Sequence, residues 1–380
     1  MTGLAQIADG VKDRRMDAPP FARADMPTPA LVLDRAALNR NIAKMAAFAA
    51  ARGLALRPHA KTHKSSEIGR RQIAAGAVGL CCAKLGEAEA LAADGVGDLH
   101  LTSPVVTPGA IARLIALNAR SEELSVVADH PDNVRALDAA NGGGRPLAVF
   151  VDVDPGNHRT GVASPGAAVA LAAEIAAAET LTLAGVQYYC GSQQHIQSFA
   201  GRQAAIVERT DYLRTVLGAL RAAGHDIPVV TGGGTGTYLI DAELGVLTEL
   251  QTGSYLFLDR EYGECELSPG DAPVFEPALF VDATVISANA AGMVTVDAGL
   301  KALSTDAGPP VVIGGGRYVF MGDEHGAIIA EGSALPDLGG RVTLQPGHCD
   351  PTVNLHDAYH VIDGETVVEI WPVTARGRST

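Results

Sequence analysis

Short apolar runs alternate with Ala-, Leu- and Arg-rich stretches of helical period from residue 30 to residue 259, and few folds accommodate a chain with that rhythm. A strand that is apolar on both sides must be covered on both faces, and helices between parallel strands supply the cover. Nine such runs can be read, at 30–34, 54–61, 79–84, 98–103, 124–129, 147–154, 181–189, 228–231 and 249–257. Helical stretches at 35–51, 65–75, 108–118, 167–178 and 199–223 lie between them. Ser65, Thr107, Ser164 and Ser198 stand where an N-cap belongs, and Gly53, Gly95 and Gly224 where a helix ends. A closed barrel of this kind has eight strands, so the run at 30–34 is assigned elsewhere.

Beyond residue 259 the rhythm changes to short alternating strands without helices, at 278–287, 292–297, 317–321, 341–345, 358–362 and 365–371. Asp363-Gly364, between the last two, is a preferred hairpin turn. The expectation is an α/β protein, a (β/α)8 TIM barrel over 54–259 followed by a C-terminal all-β domain over 260–380. Residues 28–53 lead in as a strand shared with the β domain and a helix, and residues 1–27 form an irregular arm. With 380 residues, 47% of them hydrophobic and 19% charged, the chain has enough apolar material for both cores.

Asp and Glu number 43 against 29 Lys and Arg, a net charge of −14. That excess repels phosphate backbones and anionic bilayers, so neither nucleic acid nor membrane is expected as a partner. No apolar run reaches the roughly 18 residues of a membrane span. Asp9, Lys12, Asp13, Arg14 and Arg15 stand where a signal peptide would be apolar, and a cytoplasmic location is expected. Cys81, Cys82, Cys190, Cys265 and Cys349 have the spacing of neither a disulfide framework nor a zinc site.

In βα barrels the active site gathers at the C-terminal strand ends. The run at 54–61 leads through Arg57-Pro58-His59-Ala60-Lys61-Thr62-His63-Lys64. A lysine desolvated at a barrel mouth offers a free amine for a Schiff base, although a lone lysine is far more often a surface residue. His59 and His63 have no carboxylate beside them and make a weak metal pair. The run at 147–154 leads to Arg159, a residue suited to an anionic group or a planar ring. The next leads to Tyr189 and His195, the histidine open between packing residue and general base. The last two barrel runs lead to Thr231-Gly232-Gly233-Gly234-Thr235-Gly236-Thr237 and Gly253-Ser254-Tyr255. Glycine turns that open a helix present N–H groups to an anion, and barrels frequently bind phosphate at this place. A phosphorylated ligand together with a Schiff-base lysine points to pyridoxal phosphate.

The β domain contains Pro346-Gly347-His348-Cys349-Asp350-Pro351-Thr352. Read as extended chain, it puts His348 and Asp350 on one side and Cys349 on the other. Imidazole plus carboxylate suits a divalent metal, Mg, Mn or Zn, although a His-x-Asp alone is common on loops. Glu324, His325, His356 and Asp357 are further polar candidates, read as supporting or surface residues.

Taken together these motifs resemble the metal-dependent D-threonine aldolases and their relatives, the D-3-hydroxyaspartate aldolases and D-serine dehydratases. The resemblance spans nearly the whole chain. Besides the lysine, glycine and His-x-Asp segments it is carried by Thr28-Pro29-Ala30-Leu31-Val32-Leu33-Asp34, Glu249-Leu250-Gln251-Thr252-Gly253-Ser254-Tyr255, Val296-Asp297-Ala298-Gly299-Leu300-Lys301 and Asp323-Glu324-His325-Gly326. It implies the alanine racemase type of fold and a homodimer with sites near the interface. It implies that Lys61 carries pyridoxal phosphate, that Gly233, Gly234, Thr235 and Gly236 help to hold its phosphate, and that Arg159 contacts the cofactor, with Ser254 and Tyr255 among the cofactor-binding residues. Tyr189 and His195 fall on positions near the substrate, and His348 and Asp350 on the metal pair. The chain departs from the family's pattern at Thr160 and Ala83, where cysteine and glutamine are common, and at Cys190, where histidine is.

The activity implied is retro-aldol cleavage of a D-β-hydroxy-α-amino acid to glycine and an aldehyde, with His195 or a metal-bound water as base. Dehydratases of the family favour His-x-Cys, so Asp350 points to Mn or Mg and to the aldolase. A hydroxyaspartate aldolase releasing glyoxylate shares the machinery and stays open. D-serine dehydratase is the nearest rival, and a non-catalytic pyridoxal phosphate carrier would lack the β domain.

Overall fold

The computed structural model describes residues 20–270 and 274–380, so residues 1–19 of the expected arm lie outside the described residues. Eight parallel strands, Ala55–Leu56, Leu80–Cys82, Leu99–Leu101, Leu124–Ala128, Leu147–Asp152, Leu181–Tyr188, Val229–Gly232 and Glu249–Leu250, form one sheet. The eighth pairs with the first, Glu249 opposite Ala55. An isolated parallel bridge between His59 and Cys81 joins the first to the second and closes the ring.

Helices cover the outside of this barrel, which is why its strands read as apolar runs. Ser164 and Ser198 cap two of them, accepting the N–H groups of Ala167 and Gly201, whereas Ser65 and Thr107 hold the N-cap position without a side-chain bond. The helices Leu85–Ala93, Pro131–Asn141 and Tyr238–Leu244 were not expected. Alanine or polar residues at most positions of the first two leave a faint period, and Tyr238–Leu244 spans only 7 residues.

The run at 30–34 stands in a second, ten-stranded sheet, antiparallel to Leu279–Ala290 and parallel to Ala358–Asp363. The Asp363-Gly364 hairpin forms, with Asp363 opposite Thr366. Residues 20–27 are tied down rather than irregular. Phe21–Ala22 pairs with Val367 and Thr366, and Arg23 makes two bonds of 2.7 Å to the buried Asp282 carboxylate. One apolar core runs from barrel residues such as Leu80, Leu101 and Val126 into Val281, Leu344 and Val361 of the second sheet. Among the described residues no helix is long and apolar enough to cross a membrane.

Candidate active site

The first and last barrel strands stop well before their apolar runs do. Pro58 has no N–H for a sheet ladder, and the first strand ends at Leu56; a 3-10 turn, Ala60–Thr62, then carries Lys61. The last strand ends at Leu250, and Ser254–Leu256 forms a similar turn. The lysine turn is held from both sides. His59 Nε2 meets Thr102 Oγ1 at 3.1 Å, and since that hydroxyl donates to the Cys82 carbonyl, the imidazole is the donor. From the second sheet, the Tyr359 hydroxyl donates to the His63 carbonyl at 2.6 Å.

Lys61 lines a cavity of about 480 Å3 at the barrel mouth, together with Arg159, Tyr189, Gln187 and Gln251. The Arg159 guanidinium lies 5.3 Å from the centre of the Tyr189 ring. The Lys61 amine pairs with the Asp350 carboxylate. Burial alone would lower the amine, but Asp350 outweighs it and holds Lys61 above its ordinary value. Burial alone would likewise raise Asp350, and Lys61 with His348 instead holds it at about 2.

The chain around Asp350 is helical, where extended backbone was expected. His348 precedes a short helix, Cys349–Val353, so Asp350 lies in its first turn. The two side chains meet nevertheless, with His348 Nε2 3.9 Å from Asp350 Oδ1. Cys349 is buried, and its N–H donates to Asp259 Oδ2 at 2.9 Å. Asp350 Oδ1 is buried without a hydrogen-bond partner. Two ligands each about 2.1 Å from one ion can span the gap, so the pair fits a divalent cation. Among the described residues no cluster of three or more His, Cys, Asp or Glu has metal-site geometry.

His195 packs on the Tyr262 ring, 4.4 Å between centroids, with Nδ1 3.6 Å from Glu261 Oε1 and Nε2 buried without a partner. Burial lowers its pKa against the pull of Glu261, favouring the neutral ring that a base requires.

The glycine turn is bonded within the protein. The Gly234 N–H donates to Thr237 Oγ1 at 3.2 Å, the Gly236 N–H donates to Gln194 Oε1 at 3.0 Å, and Thr235 Oγ1 accepts the Tyr255 N–H at 2.9 Å. At Gly236 a Cβ would fall 2.1 Å from the Gln194 carbonyl oxygen, so close approach alone demands glycine there. At Gly233, where φ is +69°, a Cβ would fall 2.6 Å from Asp241 Oδ2. Ser254 is buried, and the Tyr255 side chain turns into the core, its hydroxyl accepting from Gln72 Nε2 at 3.0 Å. Ala83 and Thr160 line the cavity, while Cys190 is buried. Glu324 and Asp357 pair with Lys301 and Arg376 at the surface, and His356 Nε2 donates to the Ala302 carbonyl at 2.9 Å.

Three acids at this site were not singled out in the sequence, namely Asp259, Glu261 and Asp306. Asp306 Oδ2 lies 2.5 Å from His348 Nδ1. Asp259 and Glu261 could have been found as the polar residues that follow the last barrel run. Asp306 sits in a long connection, beyond the motif that ends at Lys301 and in none of its own.

A family model described as alanine racemase, N-terminal domain, matches residues 33–261, and a serine dehydratase domain model matches residues 278–362. D-threonine aldolase of Arthrobacter sp. is 42% identical over 365 residues, 95% of each chain. 3-hydroxy-D-aspartate aldolase of Paracoccus denitrificans (strain Pd 1222) is 39% identical over 367 residues, again 95% of each chain. The solved structure of D-threonine aldolase from Filomicrobium marinum superposes with a TM-score of 0.92 at 39% identity, covering 97% of this chain and 100% of that one.

Proposed function

Since this chain belongs to the D-threonine aldolase family, lyases on the alanine racemase fold, we propose that it cleaves D-threonine and related D-β-hydroxy-α-amino acids to glycine and an aldehyde. The observation that carries this reading is the meeting at one mouth of Lys61 from the barrel with Asp350 and His348 from the segment between two strands of the second sheet. The small-molecule amino acid and a second copy of the chain are its partners, and the cytoplasm its location.

The cavity suits pyridoxal phosphate, because it combines the Lys61 amine, the Arg159 guanidinium and a polar lining from Gln187 and Gln251. Lys61 would hold the cofactor covalently, with Arg159 and Tyr189 beside it. Gly233, Gly234, Thr235 and Gly236, with Ser254, would hold the phosphate, which would compete with Thr237 and Gln194 for the N–H groups of Gly234 and Gly236; Tyr255, its hydroxyl and N–H both bonded inside the protein, supports the turn from behind. His348 and Asp350 would hold Mn or Mg, with Zn the alternative. When bound, the cofactor supplies an electron sink for the breaking Cα–Cβ bond and the metal supplies positive charge beside the β-hydroxyl.

The protein's own groups supply the proton traffic and the orientation. His195 Nε2 takes the proton of the β-hydroxyl, and the Glu261 carboxylate steadies the resulting imidazolium through Nδ1. A water beside His348 and Asp350 is the other candidate base, and His195→Gln separates the two. If His195 is the base, turnover falls about 100-fold or more; if water is, it persists.

Product analysis tests the reading. The cofactor-loaded protein with manganese is offered D-threonine, D-3-hydroxyaspartate and D-serine in parallel, each with a chelator control. Chelator-sensitive glycine plus aldehyde from D-threonine is the expected result. Much faster cleavage of D-3-hydroxyaspartate to glycine and glyoxylate would favour the second reading, supported by the similarly close Paracoccus denitrificans relative. Ammonia with pyruvate from D-serine alone would overturn both. His348→Ala is expected to lose turnover while keeping its cofactor, and an active variant would sink the metal role.

A further inference from the structure

Asp306 lies in the connection between the strands Met293–Val296 and Val311–Val312, and several contacts fix it against His348. Arg260 donates to the carbonyls of Ala307 and Pro309, the latter at 2.9 Å. Gly347 lets the connection come close, since a Cβ there would fall 2.7 Å from the Gly308 carbonyl oxygen. The Ser304 hydroxyl donates to the His348 carbonyl at 3.2 Å. Both sides of the contact between Asp306 Oδ2 and His348 Nδ1, 2.5 Å long, are therefore held by backbone anchors.

That contact decides which nitrogen of the ring is available. A carboxylate accepts and does not donate, so Nδ1 carries a proton, and in the neutral ring that a metal requires the lone pair is on Nε2. Nε2 is the atom that faces Asp350 Oδ1 at 3.9 Å. A carboxylate behind a metal-binding imidazole fixes its tautomer and orientation and raises its basicity. We infer that Asp306 is the positioning residue of the metal site: it never touches the ion, but it aims the His348 Nε2 lone pair at the space shared with Asp350 and so sets metal affinity. The inference rests on His348 and Asp350 being the metal pair.

The Asp306 side chain is 52% exposed. An ion pair that open contributes little to folding, so its loss should leave stability largely unchanged while weakening metal binding. A merely structural Asp306 would do the reverse.

The test is Mn binding to the purified, cofactor-loaded protein, read by the electron paramagnetic resonance of free Mn, for the parent, Asp306→Asn, Asp306→Ala, Asp306→Glu and His348→Ala. The Asn and Ala variants are expected to bind Mn about 10- to 100-fold more weakly, with thermal midpoint and cofactor absorbance unchanged. The Glu variant should recover part of the affinity. Asn and Ala variants within twofold of the parent, while His348→Ala binds weakly, would overturn the role of Asp306 alone. Equal affinity in His348→Ala and the parent would put the ion elsewhere and overturn the metal-pair reading, and this inference with it.

Discussion

Lys61 and Asp350 each stand where burial would neutralise them, and each keeps its charge through the other. Lys61→Ala is expected to abolish turnover and to lose the cofactor absorbance on dialysis; retained absorbance would mean that another group holds the cofactor. Asp241 has no such cation among the causes of its shift. Thr237 Oγ1 donates to it at 2.6 Å, and burial pushes its carboxyl from 3.8 up to about 7. A carboxyl raised on folding keeps its proton where the unfolded chain has lost it, so its stability contribution is present below 3.8 and is lost as pH rises to about 7. Asp241→Asn should therefore melt above the parent at pH 8, with the gap closing toward pH 4. A gap independent of pH in paired thermal melts would contradict this. Both residues were visible as letters in the sequence, but only Lys61 came with a motif and a strand end to mark it. Asp241 and Asp306 depend on what other segments place beside them.

The strands and helices were legible because a period of two or of 3.6 shows in which residues are apolar. Where each element stops was harder to read. Pro58 interrupts the ladder inside the run at 54–61, and the lysine turn that follows has no period of its own. The His-x-Asp segment shows the same limit, since alternation in a strand and the first turn of a helix can both bring i and i+2 together. Glycines divide by cause as well. Gly53, at φ +65° with open space around it, is expected to cost about 1–2 kcal/mol on Gly53→Ala from backbone strain alone, without touching the site. Gly236→Ala forces a Cβ to 2.1 Å from a backbone oxygen and must move the turn. It is expected to weaken cofactor binding as well as stability. Cofactor titration of the two variants separates these outcomes, and equal affinity in both would refute the distinction.

Across the whole molecule, the chain's described N-terminal segment closes onto a sheet made mostly of its C-terminal half. Arg23 is the link, because Asp282 is fully buried and its other cation, Arg341, stands 3.7 Å away. Arg23→Ala should destabilise the protein by about 3 kcal/mol, measured by denaturant unfolding, because it strips a buried carboxylate of its bidentate partner. A loss under 1 kcal/mol would show that Arg341 and Thr343 suffice. The barrel, the second sheet and the place of Lys61 just past a barrel strand were readable in one dimension, because periodicity, turn residues and motif order are local properties of a chain. The pairing of Lys61 with Asp350, 289 positions apart, the seat of Asp306 behind His348 and the anchoring of residues 20–27 were not. Contacts between distant segments follow from how two sheets pack into one core, and no local pattern carries that information.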